Sequence, residues 1–286
     1  YVRLLVDYIN QRYAEGKVSF HYSAEERDEL LMAALMHDIG KLVIPNEIID
    51  KTTRLGERFP LVMEHFQHLT ALYHIDYLEG RISRTKWIEE RNNLVDAQQR
   101  IEEINRKTGL TDEDVQYVKA LAARKYTGVN GNKISFLSLY EEECLTVRKG
   151  NLTKEERDII SSHVEYTEKY LSKMNFGARY PHIIQWAGAH HELLDGSGYP
   201  RGLKGEQIPF EARILAVVDV FEALTSSDRP YKKSMEEAKA LSVLDDMASS
   251  GKVDKEILQL FKEALNQRGN DVRLFMFSKE RAEEKA

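Results

Sequence analysis

Four places in this chain put a metal-ligand side chain where helix packing would favour an apolar one. His37 and Asp38 are adjacent at the close of a helical pattern, so both can turn into one cavity. His163 has Ile159, Ile160 and Thr167 at its three- and four-residue neighbours, which sets it on or beside a buried stripe. His190 and His191 form a doublet one turn beyond Trp186 and Ala187. Asp219 is embedded in Ile-Leu-Ala-Val-Val-Asp-Val-Phe, where an unpaired carboxylate would cost several kcal/mol. Each has a plainer reading. A lone histidine on an apolar face is most often a satisfied core histidine, and an aspartate in an apolar run more often caps a helix or pairs with an arginine, here Arg213 or Arg229. Taken together, the six groups form a nitrogen and oxygen donor set that suits iron, manganese, zinc or nickel. Helical bundles build dinuclear sites from such side chains.

The elements that must carry these groups are helical. Apolar residues recur at helical spacing almost throughout, without sustained period-two alternation, so the spacing predicts an all-α fold. Ser23 and Glu26 read as a capping box opening a helix through Leu30, Leu31, Ala34 and Leu35 that stops near Gly40. Thr153 and Glu156 repeat the signal for a helix through Ile159, Ile160, His163, Val164, Thr167 and Leu171. A third helix is expected from Pro181 to Glu192, before the turn formers at 195–200, and a fourth from Phe210 to Ser226. The chain opens inside an amphipathic pattern (Val2, Leu4, Leu5, Tyr8, Ile9) without an initiator methionine, and reads as a fragment with sequence missing upstream.

Residues 52–145 differ in character, being rich in charge and poor in turn clusters. Trp87, Leu94 and Ile101, offset by Ala97 and Ile104, make a short heptad seam that Glu90 interrupts. Such a seam packs internally as a helical hairpin or pairs with a second subunit. His65 and His68 share a helix face, with Glu64 and His74 nearby, but no matching ligand cluster accompanies them and they read as ordinary helix histidines. The segment is expected to serve as a dimerisation arm or a lid.

Composition removes several classes of function. With 286 residues, 42% hydrophobic and 31% charged, the chain is a soluble globular protein of one large or two small domains, neither disordered nor fibrous. The apolar run Leu30 to Met36 is far short of the roughly 20 residues that span a bilayer, so no membrane segment is expected. Cys144 is the single cysteine, which excludes an internal disulfide and thiolate zinc sites and points to the cytoplasm. A net charge of −6 argues against binding nucleic-acid polymers, while leaving room for a small anionic ligand where positive charge is local.

The motifs carry a resemblance. HDIGKLVIP at 37–45, NLTKEERDIISSHV at 151–164, HHELLDGSGYPRGLKGEQIPFEARI at 190–214 and VVDVFEALTSSDRPYKK at 217–233 are similar to the HD-GYP group of HD phosphohydrolases. The resemblance covers about two thirds of the chain, and its HHE to GYP block is highly specific. It implies an HD-type helical bundle, formed by residues 1–51 and 146–278, with 52–145 as a helical insertion and 279–286 as a solvated tail. It further implies metal-dependent hydrolysis of cyclic di-GMP to pGpG and GMP. The alternatives are a cyclic GMP-AMP phosphodiesterase and a catalytically weak cyclic-dinucleotide sensor or docking module.

By the same resemblance Asp38 bridges two metals, with His37 and Asp219 on one and His163, His190 and His191 on the other. Two divalent transition metals are implied, or three in members with an upstream Glu; iron or manganese is favoured, with zinc and nickel also suited. Lys41 matches a lysine that contacts the scissile phosphate. Gly198, Tyr199 and Pro200 shape the pocket lip, and Arg229 and Lys232 match basic contacts to substrate phosphate. The resemblance implies a cyclic dinucleotide as partner; the fragmentary start adds an expected upstream sensor, and the heptad seam, where it pairs externally, a second copy as homodimer. The sequence departs from the group in three ways. The first metal histidine would fall before Tyr1, residues 52–145 intervene where about a dozen are usual, and Glu222 with an extra Ser at 226 or 227 alters the approach to Arg229.

Overall fold

A computed structural model describes residues 1–226 apart from Gly177, and residues 235–283, with side chains described as far as residue 269. In chain order the helices are α1 (Val2–Ala14), α2 (Ala24–Met36), α3 (Asn46–Ile49), α4 (Phe59–Leu78), α5 (Arg84–Arg106) and α6 (Asp112–Ala123). They are followed by strands β1 (Lys125–Thr127) and β2 (Lys133–Ser135), then α7 (Leu139–Thr146), α8 (Lys154–Ser161), α9 (His163–Leu171) and α10 (Ile183–Ala187). The chain ends with α11 (Phe210–Thr225), α12 (Glu237–Ser249) and α13 (Lys255–Glu283). The chain divides into two compact units, residues 1–44 with 161–286 and residues 45–160. The all-α expectation holds, with one two-stranded ribbon added. No helix among the described residues is long and apolar enough to cross a membrane.

The first unit has a core in which α1 contributes Leu5 and Ile9, α2 Leu30 and Ala33, and α11 Ile214, Val217 and Phe221, all essentially inaccessible. Ile183, Leu244, Ile257 and Phe261 close it from α10, α12 and α13. The Ser23 capping box is present in full: its side chain accepts from the Glu26 amide, and the Glu26 carboxylate accepts from the Ser23 amide at 2.9 Å. The helix it opens stops at Met36, one turn before Gly40, and the chain tightens into a 3₁₀ turn over Ile39–Val43. That tightening lays the turn on α9. A Cβ on Gly40 would lie 1.9 Å from the His163 carbonyl oxygen, so only glycine permits the approach.

Two helices differ from the expected ones. The pattern through Ile159 to Leu171 folds as α8 and α9, meeting at Ser162, rather than as one continuous helix. The expected helix from Pro181 to Glu192 is helical only over Ile183–Ala187; its remainder is a succession of tight turns in which the Ala189 and Glu192 amides donate to the Trp186 and Ala189 carbonyls. Adjacent helical residues diverge by about 100°, so a helix would spread the His190 and His191 rings apart where a turn need not. α13 is helical to Glu283, through most of the residues read as a tail.

The second unit has its own core. Leu94, Ala97, Ile101 and Ile104 of α5 cluster with Val62, Phe66 and Leu69 of α4, so the heptad seam is the inside of a helical hairpin. Glu90, which breaks the seam, is buried but paired with Lys86 at 2.9 Å and Arg124 at 2.6 Å. The ribbon pairs Tyr126 with Ile134; three residues per strand are too few to show alternation in a sequence. His65 meets the Ser135 carbonyl at 2.8 Å, His74 stacks on Trp87 and His68 is exposed. None belongs to a group able to hold a metal among the described residues. The Thr153 capping box forms as read, and Glu156 also accepts from the buried Lys51 ammonium and the Tyr140 hydroxyl, both at 2.6 Å. Residues 45–51 and 146–160, read with the bundle from the sequence, fall in this unit.

Candidate metal centre

Four helices of the first unit, with the 3₁₀ turn, bring the six candidate side chains together. His37 caps the C-terminal end of α2, Asp38 opens the 3₁₀ turn, His163 begins α9, His190 and His191 follow α10, and Asp219 lies two to three turns into α11. Their donor atoms form two groups, each within 4.8 Å: Asp38, His163, His190 and His191 in one, and His37, Asp38 and Asp219 in the other. Asp38 belongs to both. Its Oδ1 lies 3.2 Å from His163 Nε2 and 3.9 Å from His190 Nε2, while its Oδ2 lies 3.4 Å from His37 Nε2. Asp219 approaches His37 at 3.5 Å and His191 at 3.9 Å.

The rings are held from behind. His37 and His190 each use Nδ1 as donor to the carbonyl three residues earlier, Ala34 at 2.7 Å and Ala187 at 2.6 Å. That bond places the proton on Nδ1 and leaves the Nε2 lone pair directed into the cluster. His37 Nε2, His190 Nε2 and Asp38 Oδ1 are buried and take no hydrogen bond among the described residues. Buried polar atoms of this kind are costly unless a partner arrives. The donor set therefore fits a cation.

Electrostatics agree. Burial pushes the His190 imidazole well down, helped by His191 and His37, and burial likewise brings His191 to about 4 against the pull of Asp219. Both are neutral near pH 7, as metal ligands must be. Burial would raise Asp38, but the nearby His163, His37 and Lys41 hold its carboxyl far below the usual range. Burial would also raise Asp219, and its imidazole neighbours, His37 first, keep it low instead. His37 moves the other way: burial opposes, but the carboxylates of Asp219 and Asp38 win and push it up. The field that favours a proton on His37 also favours a cation between the two carboxylates.

The remaining expected residues divide. Lys41 places its ammonium 2.5 Å from Asp38 Oδ2. Tyr199 sets its ring 4.7 Å from His191 and 6.4 Å from His163, and burial holds its phenol protonated. Gly198 and Pro200 flank it, and the Tyr199–Pro200 peptide is cis. Arg229 and Lys232 lie outside the described residues. Arg213 is not a partner of Asp219; its guanidinium serves Asp254, Glu206 and the Ile208 and Gly205 carbonyls. Sequence reasoning missed Gly40 and Thr167 as positioning groups. The Gly40 amide donates to Thr167 Oγ1 at 3.0 Å, and that hydroxyl donates to the His37 carbonyl at 2.9 Å, so the 3₁₀ turn is fixed to α9. Thr167 lies one turn from His163, but nothing in its spacing distinguished it from an ordinary member of the buried stripe.

Comparison with known proteins covers part of the chain. A family profile described as HD domain matches residues 132–257. The 3'3'-cGAMP-specific phosphodiesterase 3 of Vibrio cholerae is 38% identical over 119 residues, 42% of this chain and 25% of the relative. The cyclic di-GMP phosphodiesterase response regulator RpfG of Xanthomonas campestris pv. campestris is 38% identical over 137 residues, 48% of this chain and 33% of the relative. A cyclic di-GMP phosphodiesterase of Thermotoga maritima is 39% identical over 126 residues, 42% and 33% respectively. The chain thus spans a quarter to a third of the length of these relatives. Over residues 132–257, less than half of its length, the chain is similar to HD domain proteins, and it is similar over 119 to 137 residues to the three phosphodiesterases above.

Proposed function

We propose that this protein is a metal-dependent phosphodiesterase that opens the 3′,5′ phosphodiester of a cyclic dinucleotide, with cyclic di-GMP as substrate and pGpG or GMP as product. The observation that carries this reading is the sharing of Asp38 between two donor groups. His37, Asp38 and Asp219 would hold one metal, and Asp38, His163, His190 and His191 the other, a mixed nitrogen and oxygen set that suits iron, manganese, zinc or nickel. Bound there, a metal pair supplies Lewis-acid charge to a phosphate oxygen and acidifies water.

The chain's own groups do the rest. The Ala34 and Ala187 carbonyls hold His37 and His190 in the tautomer that presents Nε2. Lys41 sits beside Asp38, keeps that carboxylate ionised and brings positive charge to where a phosphate would gain negative charge. Tyr199, protonated and next to His191, offers a hydroxyl donor and an aromatic face at the edge of the cluster. Asp38→Ala should empty both groups and abolish turnover, read by metal analysis and product chromatography of cyclic di-GMP digests. An Asp38→Ala protein that cleaves at the wild-type rate ends the reading. Relatives named for cyclic GMP-AMP supply a second substrate, so turnover of the two dinucleotides should be measured side by side.

A further inference from the structure

Glu192, directly after the His190–His191 doublet, is one of the few charged residues buried in the first unit, only 2% exposed. Among the described residues no lysine, arginine or histidine forms an ion pair with it. Its two carboxylate oxygens instead accept one backbone amide each, from Arg201 at 2.7 Å and from Leu203 at 2.8 Å. Charge-assisted bonds from amides to a carboxylate are among the stronger kind, and a buried carboxylate is retained only where such bonds satisfy it.

Those two amides belong to the loop that carries Tyr199. The same loop donates its Tyr199 amide to the His191 carbonyl at 3.2 Å. It passes the doublet in backbone contact: a Cβ on Gly198 would lie 2.3 Å from the Leu193 nitrogen and 2.5 Å from both Glu192 Cα and the His191 oxygen. Farther out, the Arg201 guanidinium reaches Glu168 of α9 at 2.5 Å and the Gly188 carbonyl at 3.1 Å. The loop is therefore tied to the ligand-bearing turn from inside by Glu192 and to α9 from outside by Arg201.

We infer that Glu192 is a positioning residue for substrate: it clamps the loop of Gly198, Tyr199 and Pro200 onto the His190–His191 turn, so that the Tyr199 ring stands at a fixed place beside the donor cluster. It contributes neither a metal ligand nor a proton. The inference rests on the proposed function for its kinetic consequence and on the two amide bonds for its structural one.

Glu192→Gln keeps the shape of the side chain but can accept only one of the two amides without forcing its own NH₂ against the other. In that variant the metal content should equal the wild type's. KM for cyclic di-GMP should rise about 10-fold or more, from the loss of a charge-assisted bond, with a smaller change in kcat. Backbone amides of Arg201 and Leu203 should exchange hydrogen at least about 10-fold faster. Arg201→Ala, which removes only the outer tie, should leave those two amides protected. Metal loss with an unchanged KM would mean that Glu192 serves the ligand turn and would overturn the inference, as would unaltered exchange at both amides. If the wild-type protein hydrolyses neither cyclic di-GMP nor cyclic GMP-AMP, the proposed function fails, and the exchange measurement alone decides whether Glu192 holds the loop.

Discussion

Asp38 and His190 differ in a way that a metal count can read. Asp38 contributes to both donor groups, whereas His190 contributes to one. Asp38→Ala should therefore lose both metals, and His190→Gln about half of the bound metal, with turnover down more than about 100-fold in each, because in the proposed reaction both metals would act on one phosphate. Equal metal loss in the two variants would contradict the shared role of Asp38. The histidine pair also shows how position decides chemistry. His37 and His190 are held by identical contacts to the carbonyl three residues earlier, yet His37 is raised by two carboxylates and His190 is lowered by burial among imidazoles.

The 3₁₀ turn on α9 is the element that sets the distance between the His-Asp pair and His163. Gly40→Ala would force a methyl into the His163 carbonyl at 1.9 Å and against the Thr167 nitrogen at 2.6 Å, both backbone atoms that cannot swing aside. Thermal or urea unfolding should show a loss of about 3 kcal/mol or more, typical of overpacking at a rigid contact. In the second unit the Lys51–Glu156 pair stands at the start of α8, with side chains 3% and 6% exposed. Burial would raise Glu156, but Lys51, Tyr140 and the Thr153 amide lower it below its ordinary 4.5. A carboxylate with a depressed folded value binds fewer protons folded than unfolded below pH 4.5. The stability it contributes is thus fully present above that pH and is lost as pH falls through the folded value. Glu156→Gln should flatten the acid limb of the unfolding curve and destabilise the unit by about 3 kcal/mol at pH 7, because it strands the Lys51 ammonium in the interior.

At the scale of the molecule, a second core allows the long insertion between the His37-Asp38 pair and His163. Phe66, Leu94, Ile101 and Leu145 are buried in one cluster inside residues 45–160, so that segment has a core of its own. Local charge matters more than the total: the chain carries −6 overall, yet Lys41 lies against the donor cluster. If metals stabilise the first unit by binding its folded form alone, chelation should lower the melting transition reported by Trp186 in a Trp87→Phe background. At about 100 times Kd the loss is about 3 kcal/mol, or roughly 6–12 °C for a unit of this size. A transition unmoved by chelation would show that no metal is held by the folded state.

What the sequence determined by itself was local. Ser23 with Glu26 and Thr153 with Glu156 announce their capping boxes, because a cap is settled within four residues. The apolar run before Asp219 announces a buried helix, and the types of the six donors announce a cation. The heptad residues of α5 were legible as a seam, but whether its partner was α4 or another chain was not, since both present the same apolar stripe. Tertiary structure decided what depends on segments far apart in the chain: that Asp38 faces two donor groups, that Gly40 meets the His163 carbonyl, and that the helix before His190 gives way to turns. The first two are contacts across more than a hundred residues, and residue periodicity carries no distance information across such separations.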